Sequence, residues 1–317
     1  MNKRILFCVI ILFALAGCAT TVSDTPDVET PGTETNTPGG VVMDLPMITS
    51  LMLMEKGEAL KDLGDDYVIK TLNSEKVKHY TYENQGLGVY FVDGLNPNKI
   101  DTMEFSGNVN INGVTIGMAY DEAKKMLPPD YVERPRPHDS AQTTLEFYVN
   151  DFIVRFYFNS ETNSIDKVKI MRFITVEQIS EMIKLDKDDF INRFGAPNII
   201  YGVGGEATYD GHHYDLLGLT FVFGEDSPSP FNTIEYNWAE AFAWHEYRID
   251  INGAKMWMAI DQIRDILGTP VYEGPIQFTD NIWSEYALRY QINNIQVRFS
   301  SATRDTPCRE IVFSGVR

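Results

Sequence analysis

Hydrophobic and polar residues alternate with a period of two in four stretches of this chain: Gly88 to Val92, Phe152 to Phe158, Leu219 to Phe223 and Ile295 to Phe299. In the second, Phe152, Val154, Phe156 and Phe158 share one side and Arg155 lies on the other. In the fourth, Ile295, Val297 and Phe299 alternate with Gln296 and Arg298. Such alternation predicts antiparallel strands with one face on a core and the other in water. An amphipathic helical segment precedes each stretch and ends in stop chemistry: Leu63-Gly64, Leu127-Pro128-Pro129, Phe194-Gly195-Ala196-Pro197 and Leu267-Gly268-Thr269-Pro270. Glycine accepts the left-handed cap, and proline just beyond it cannot continue the ladder. A last strand then opens at Ile100, Ile165, Ile234 and Ile311.

Those isoleucines stand 65, 69 and 77 residues apart, and the last apolar residues of the helical segments 64, 67 and 73. Two independent markers with one drifting period predict an internal repeat of about 65–75 residues. A longer period overlies it: Ile111-Asn112-Gly113 with Met118 returns as Ile251-Asn252-Gly253 with Met258, 140 residues on. Asn-Gly between Val109-Asn110-Ile111 and Val114-Thr115-Ile116 signals a tight hairpin. Thr175-Val176-Glu177-Gln178 reads as a helix start, with threonine as cap and an acidic first turn. The expected fold is therefore α+β: tandem repeats of a helical segment plus a short antiparallel sheet, four units arranged as two pairs, 45–172 and 173–317.

The chain ahead of this body has a different character. Residues from Ala19 to about Asp44 are rich in Thr, Pro, Gly, Asp and Glu and read as a disordered tether. A flexible coil of about 25 residues spans roughly 25–30 Å. Before it, Lys3 and Arg4 lead into an uncharged apolar run from Ile5 to Ala16, too short to cross a bilayer. Leu15-Ala16-Gly17-Cys18 resembles the lipobox of bacterial lipoproteins. The resemblance implies a signal peptide over 1–17, cut before Cys18, and a lipidated cysteine at the head of a tether over 18–44. It also implies a lipid-anchored position on the extracytoplasmic side of a bacterial envelope. The repeat pattern over 45–317 resembles the fold of the β-lactamase inhibitory protein and of the outer-membrane assembly lipoprotein BamE. That second resemblance implies a binding role and names no partner.

Composition narrows the partners. The net charge is −18, and removing residues 1–17, with Lys3 and Arg4 and no acid, brings it to about −20. That balance argues against nucleic acid and against adhesion to anionic lipid. Membrane attachment is expected only through acyl chains on Cys18. Of the three cysteines, Cys8 lies in the signal and Cys18 is the lipidation candidate, so Cys308 is the one thiol left and reads as a small buried hydrophobe.

No enzymatic signature is present. There is no phosphate-binding glycine loop, no Gly-x-Ser-x-Gly elbow and no cysteine pair for zinc, and His245-Glu246 continues as Tyr247-Arg248-Ile249. His212-His213 beside Asp210 and Asp215 invites a metal reading, but adjacent strand residues point to opposite faces and seldom share one ion. Asp186-Lys187-Asp188-Asp189 lacks a calcium loop and suits a helix first turn. No catalytic residue, cofactor or metal is assigned. Trp238, Phe242, Trp244, Tyr247 and Trp257 form the candidate binding surface, since Trp and Tyr bury much area at low entropic cost. The simpler reading is that the same residues fill the core at the junction of the last two units. The expected function is a monomeric, non-enzymatic module that binds an envelope or secreted protein. The alternative is a glycan- or small-ligand-binding lipoprotein.

Overall fold

Strands dominate this molecule, which corrects the expected fold class. The computed structural model describes residues 42–72, 76–135, 143–203, 209–224, 233–237, 248–277 and 284–315. Among the described residues there are 21 strands, most of them in two eight-stranded antiparallel sheets, and six α-helices. The helices are only seven to nine residues long. Helices below about 12–15 residues are marginal alone, so each depends on a sheet to bury its apolar side.

The first part runs β1 (Met43–Asp44), α1 (Leu45–Leu53), α2 (Lys56–Leu63), β2 (Val68–Leu72), β3 (Val77–Tyr82), β4 (Leu87–Val92), β5 (Thr102–Phe105), β6 (Val109–Ile111), β7 (Val114–Thr115), α3 (Tyr120–Met126), β8 (Val132–Pro135), β9 (Thr143–Val149), β10 (Phe152–Phe158) and β11 (Ile165–Arg172). The second runs β12 (Ile174–Thr175), α4 (Val176–Ile183), α5 (Lys187–Phe194), β13 (Ile199–Val203), β14 (Tyr209–Tyr214), β15 (Leu219–Gly224), β16 (Thr233–Asn237), β17 (Ile249–Asp250), α6 (Ile260–Leu267), β18 (Tyr272–Gln277), β19 (Ser284–Ile292), β20 (Ile295–Ser301) and β21 (Glu310–Gly315).

The sheet orders are β2-β3-β4-β5-β11-β10-β9-β8 and β13-β14-β15-β16-β21-β20-β19-β18. Each is two meanders joined at their last strands. In the first sheet Phe105 pairs with Val168 and Thr102 with Met171; in the second Thr233 pairs with Ser314 and Asn237 with Glu310. This central pairing is why no meander stands as a sheet by itself; β1-β6-β7 and β12-β17 form two small separate sheets. Backbone groups that would form an open edge are satisfied by the neighbouring meander instead.

Local chemistry sets the helix ends and the hairpin. Thr175 and Gln178 cap each other: Gln178 N–H donates to Thr175 Oγ1 at 3.4 Å, and Thr175 N–H donates to Gln178 Oε1 at 3.0 Å. Asp186 accepts from Asp189 N–H at 2.8 Å and caps α5, which is what the acidic run at 186–189 does. Asn112 and Gly113 have φ of 54° and 92°, the paired left-handed positions of a tight turn between β6 and β7.

One core lies between the inner face of the first sheet and α1, α2 and α3. Val89, Phe91, Phe105, Phe147 and Phe156 meet Ile48, Met52, Ala59 and Ala123 there. The other packs Phe221, Leu288, Val297, Phe299 and Phe313 against Ile179, Phe190, Ile260 and Ile263. Cys308 belongs to this second core, fully buried, and burial pushes its thiol well above the ordinary range. All described residues fall in one compact unit, Gly39–Arg317. No helix among them is long and apolar enough to cross a membrane.

The outer face of β10 also departs from the expected wet face. Every residue of β10 is buried, including Arg155. Its charge is tolerated because Glu146, directly opposite on β9, takes its Nε–H at 2.7 Å.

Candidate functional site at the junction of the two sheets

The outer face of the first sheet is where the two parts meet. The start of β3, the end of β4 and the loop after it enter the second part: Val77, Val92 and Leu95 belong to its core. Gln178 on α4 donates to the Leu95 carbonyl at 3.1 Å, and Arg193 on α5 donates to the Gly94 carbonyl at 2.9 Å. Only glycine fits at position 94, because a Cβ there would stand 2.7 Å from the Arg193 carbonyl oxygen and 2.8 Å from the Phe194 ring. Further along the same boundary Arg248 and Asp101 form a fully buried ion pair at 2.7 Å. Asn96 and Thr102 donate to the same carboxylate, at 3.1 and 3.0 Å.

This insertion leaves a half-open cleft of about 270 Å³. Leu72, Val77, Tyr90 and Val92 of the first sheet form one wall; Phe194, Ala196, Leu216 and Leu217 form the other, with Asn198 and Asp215 as polar lining. Ile199 and Ile200, just beyond Asn198 on edge strand β13, are 50% and 58% exposed.

Next to the cleft the outer face turns polar. His79 stacks on Tyr90 with ring centroids 4.1 Å apart and planes 6° from parallel. Gly88 makes room for the imidazole, since a Cβ there would lie 2.6 Å from His79 Nε2. Burial lowers the affinity of His79 for its proton; Glu104 opposes this, and Lys70 and Lys169 reinforce it. Glu104 sits between Lys167 and Lys169, at 3.5 and 3.3 Å. At the far end Glu146 is fully buried between Arg134 and Arg155, at 2.8 and 2.6 Å, and accepts from the Tyr148 hydroxyl at 2.7 Å. Burial works against its charge, but the two guanidinium groups and the hydroxyl outweigh it and hold the carboxyl below its usual range.

The sequence candidates distribute unevenly around this site. Trp238, Phe242, Trp244 and Tyr247 lie outside the described residues. Trp257 is half-buried against the second core; its ring lies 5.6 Å from the Arg134 guanidinium, and its backbone N–H donates to the Cys308 carbonyl at 3.1 Å. It thus stands where the two parts touch, away from the cleft lining. His212 and His213 sit on opposite faces of β14, paired with Phe221 and Thr220. His213 Nδ1 lies 3.0 Å from Thr220 Oγ1 and Nε2 lies 3.2 Å from Asp215 Oδ1, so the buried imidazole braces the cleft wall that Asp215 lines. Among the described residues, no three His, Cys, Asp or Glu side chains gather as a metal site.

Leu72, Val77, Tyr90, Val92, Phe194 and Leu216 were not singled out by the sequence, and neither were Lys167 and Lys169. The two lysines did carry a signal: Lys167-Val168-Lys169 alternates within a strand and places both charges on one face. The cleft walls carried none, because they come from segments more than 100 residues apart.

No family model matches the chain, and no curated protein matches it. Two solved structures are similar to parts of it. One is a DUF4309 family protein, YjgB, from Bacillus subtilis: 17% identity, 42% of this chain, 80% of that chain and a TM-score of 0.28. The other is an extracellular protein containing an SCP domain from Bacillus anthracis: 14% identity, 55% of this chain, 59% of that chain and a TM-score of 0.31.

Proposed function

We propose that this chain is a lipid-anchored, extracytoplasmic protein-interaction module, without catalytic activity, that holds its partner at the junction of its two sheets. The observation that carries this reading is the apolar cleft built from both parts of the body and flanked by the exposed Ile199 and Ile200. A recess whose walls are fixed by buried contacts on both sides presents a pre-organised surface, and pre-organisation lowers the entropic loss on binding. Cys18 supplies the anchor, and the residues after it supply the reach.

The test is crosslinking in intact envelopes followed by recovery of the tagged full-length chain. An envelope or secreted protein recovered in stoichiometric amount is the expected result. Recovery of no protein, together with tight binding of a glycan or small ligand, overturns the proposal.

A further inference from the structure

The strongly acidic chain carries a local excess of positive charge beside the cleft. Among the described residues of the first sheet's outer face, Lys70 on β2 and Lys167 and Lys169 on β11 stand with Glu104, and Arg134 and Arg155 stand with Glu146 farther along. Lys70 is exposed, the Lys167 side chain is 40% exposed and Lys169 16%, and His79 and Tyr90 are half-buried between them and the cleft. The net charge of −18 makes this face the reverse of the molecule as a whole. Charge opposite to the rest of a surface selects the orientation and the sign of a partner.

Geometry links the two features. Tyr90 pairs with Thr102, Thr102 with Met171, and Lys169 lies two residues along from Met171. Two strand spacings and two residues of rise put Tyr90 and Lys169 about 12 Å apart, the length of about four extended residues. We infer that the cleft and the lysine strip form one composite docking site for an extended acidic segment of a partner protein. A bulky apolar side chain fills the recess between Val92 and Leu216, and carboxylates some four to five residues away meet the more exposed Lys167. The Tyr90–His79 stack lies under the connecting backbone. This inference rests on the interaction-module reading and names the chemistry of its partner.

The test pans a phage-displayed library of random twelve-residue peptides on the full-length chain. It is repeated with Ala196→Trp, which fills the exposed lip of the cleft, with Lys167→Glu, and with Lys125→Glu on the exposed face of α3 as a charge control. The expected result is enrichment of peptides with a large apolar residue three to five positions from Asp or Glu. Their affinity should fall with rising salt and drop about tenfold or more, at least 1.4 kcal/mol, on Ala196→Trp and Lys167→Glu, with Lys125→Glu unchanged. Absence of that pattern, or selected peptides that bind both variants as well as the parent, overturns the site. So does binding of polygalacturonate through Lys167 with no peptide enriched. The same variants separate the two levels of the argument in the envelope crosslinking. A protein recovered equally by parent and variants removes this site and leaves the module reading intact. No protein recovered by the parent removes the reading itself.

Discussion

Arg248 and Asp101 are 147 residues apart in sequence and form an ion pair at 2.7 Å from which water is fully excluded. Breaking one partner of such a pair leaves the other charge buried and destabilises by about 3–5 kcal/mol, whereas exchanging both for apolar residues is far milder. Asp101→Ala should therefore lower the urea midpoint sharply, and Asp101→Leu with Arg248→Met should recover much of the loss. Equal destabilisation by the single and the double replacement would show that the pair matters less than the packing around it.

Glu146 gives the acid limb of stability. Its carboxyl is held below the ordinary range in the folded chain. A depressed carboxyl stabilises above its unfolded value, near pH 4.3, and that contribution is lost as pH falls through the folded value. Urea unfolding between pH 7 and pH 2 should show a steep decline below pH 4–5. Glu146→Gln should start lower at neutral pH, with Arg134 and Arg155 left uncompensated, and should decline less steeply in acid.

Gly94→Ala probes the seam between the two parts. The added methyl meets a carbonyl oxygen and a ring at under 3 Å, and overpacking of this kind costs about 1–3 kcal/mol. Calorimetry should show a lower Tm, and hydrogen exchange should rise at Leu95 and in α5 before it rises in β10. Uniform protection across the chain would count against a seam that opens locally.

Cys308 should resist modification. With its thiol buried and pushed above the ordinary range, iodoacetamide at pH 8 should label it only after denaturation, read by mass spectrometry of the peptide that contains it. Rapid labelling of the native chain would contradict the burial.

Cys18→Ser addresses the anchor. The variant should accumulate unprocessed or mislocalised, and a chain begun near Val41 should be soluble and monomeric without detergent. Normal processing and membrane retention in Cys18→Ser would end the lipoprotein reading.

Local features were legible where the residue types carry their own conformational preference. Asn112-Gly113 and the Thr175–Gln178 cap are short-range chemistry, and Ile295, Val297 and Phe299 are buried while Gln296 and Arg298 remain half-exposed. Legibility stopped at pairings between distant segments. Nothing in the alternation of β10 tells that Arg155 is buried, because its neutralising partner comes from β9 and its cover from elsewhere. The same limit hid the sheets: each meander looks complete in sequence, and only the pairing of β5 with β11 and of β16 with β21 turns meanders into eight strands. The cleft was out of reach for that reason as well.

The placement of those closing pairs also sets an order of events. β5 emerges long before β11, and β16 before β21, yet each couple forms the middle of its sheet. As the chain folds, the centre of each sheet is thus the last part to close, with a completed meander waiting on one side. Non-local closure is slow and leaves strand edges open to other chains. The interval between the arrival of β5 and β11 is the period in which this chain is most exposed to misassembly and most in need of a chaperone.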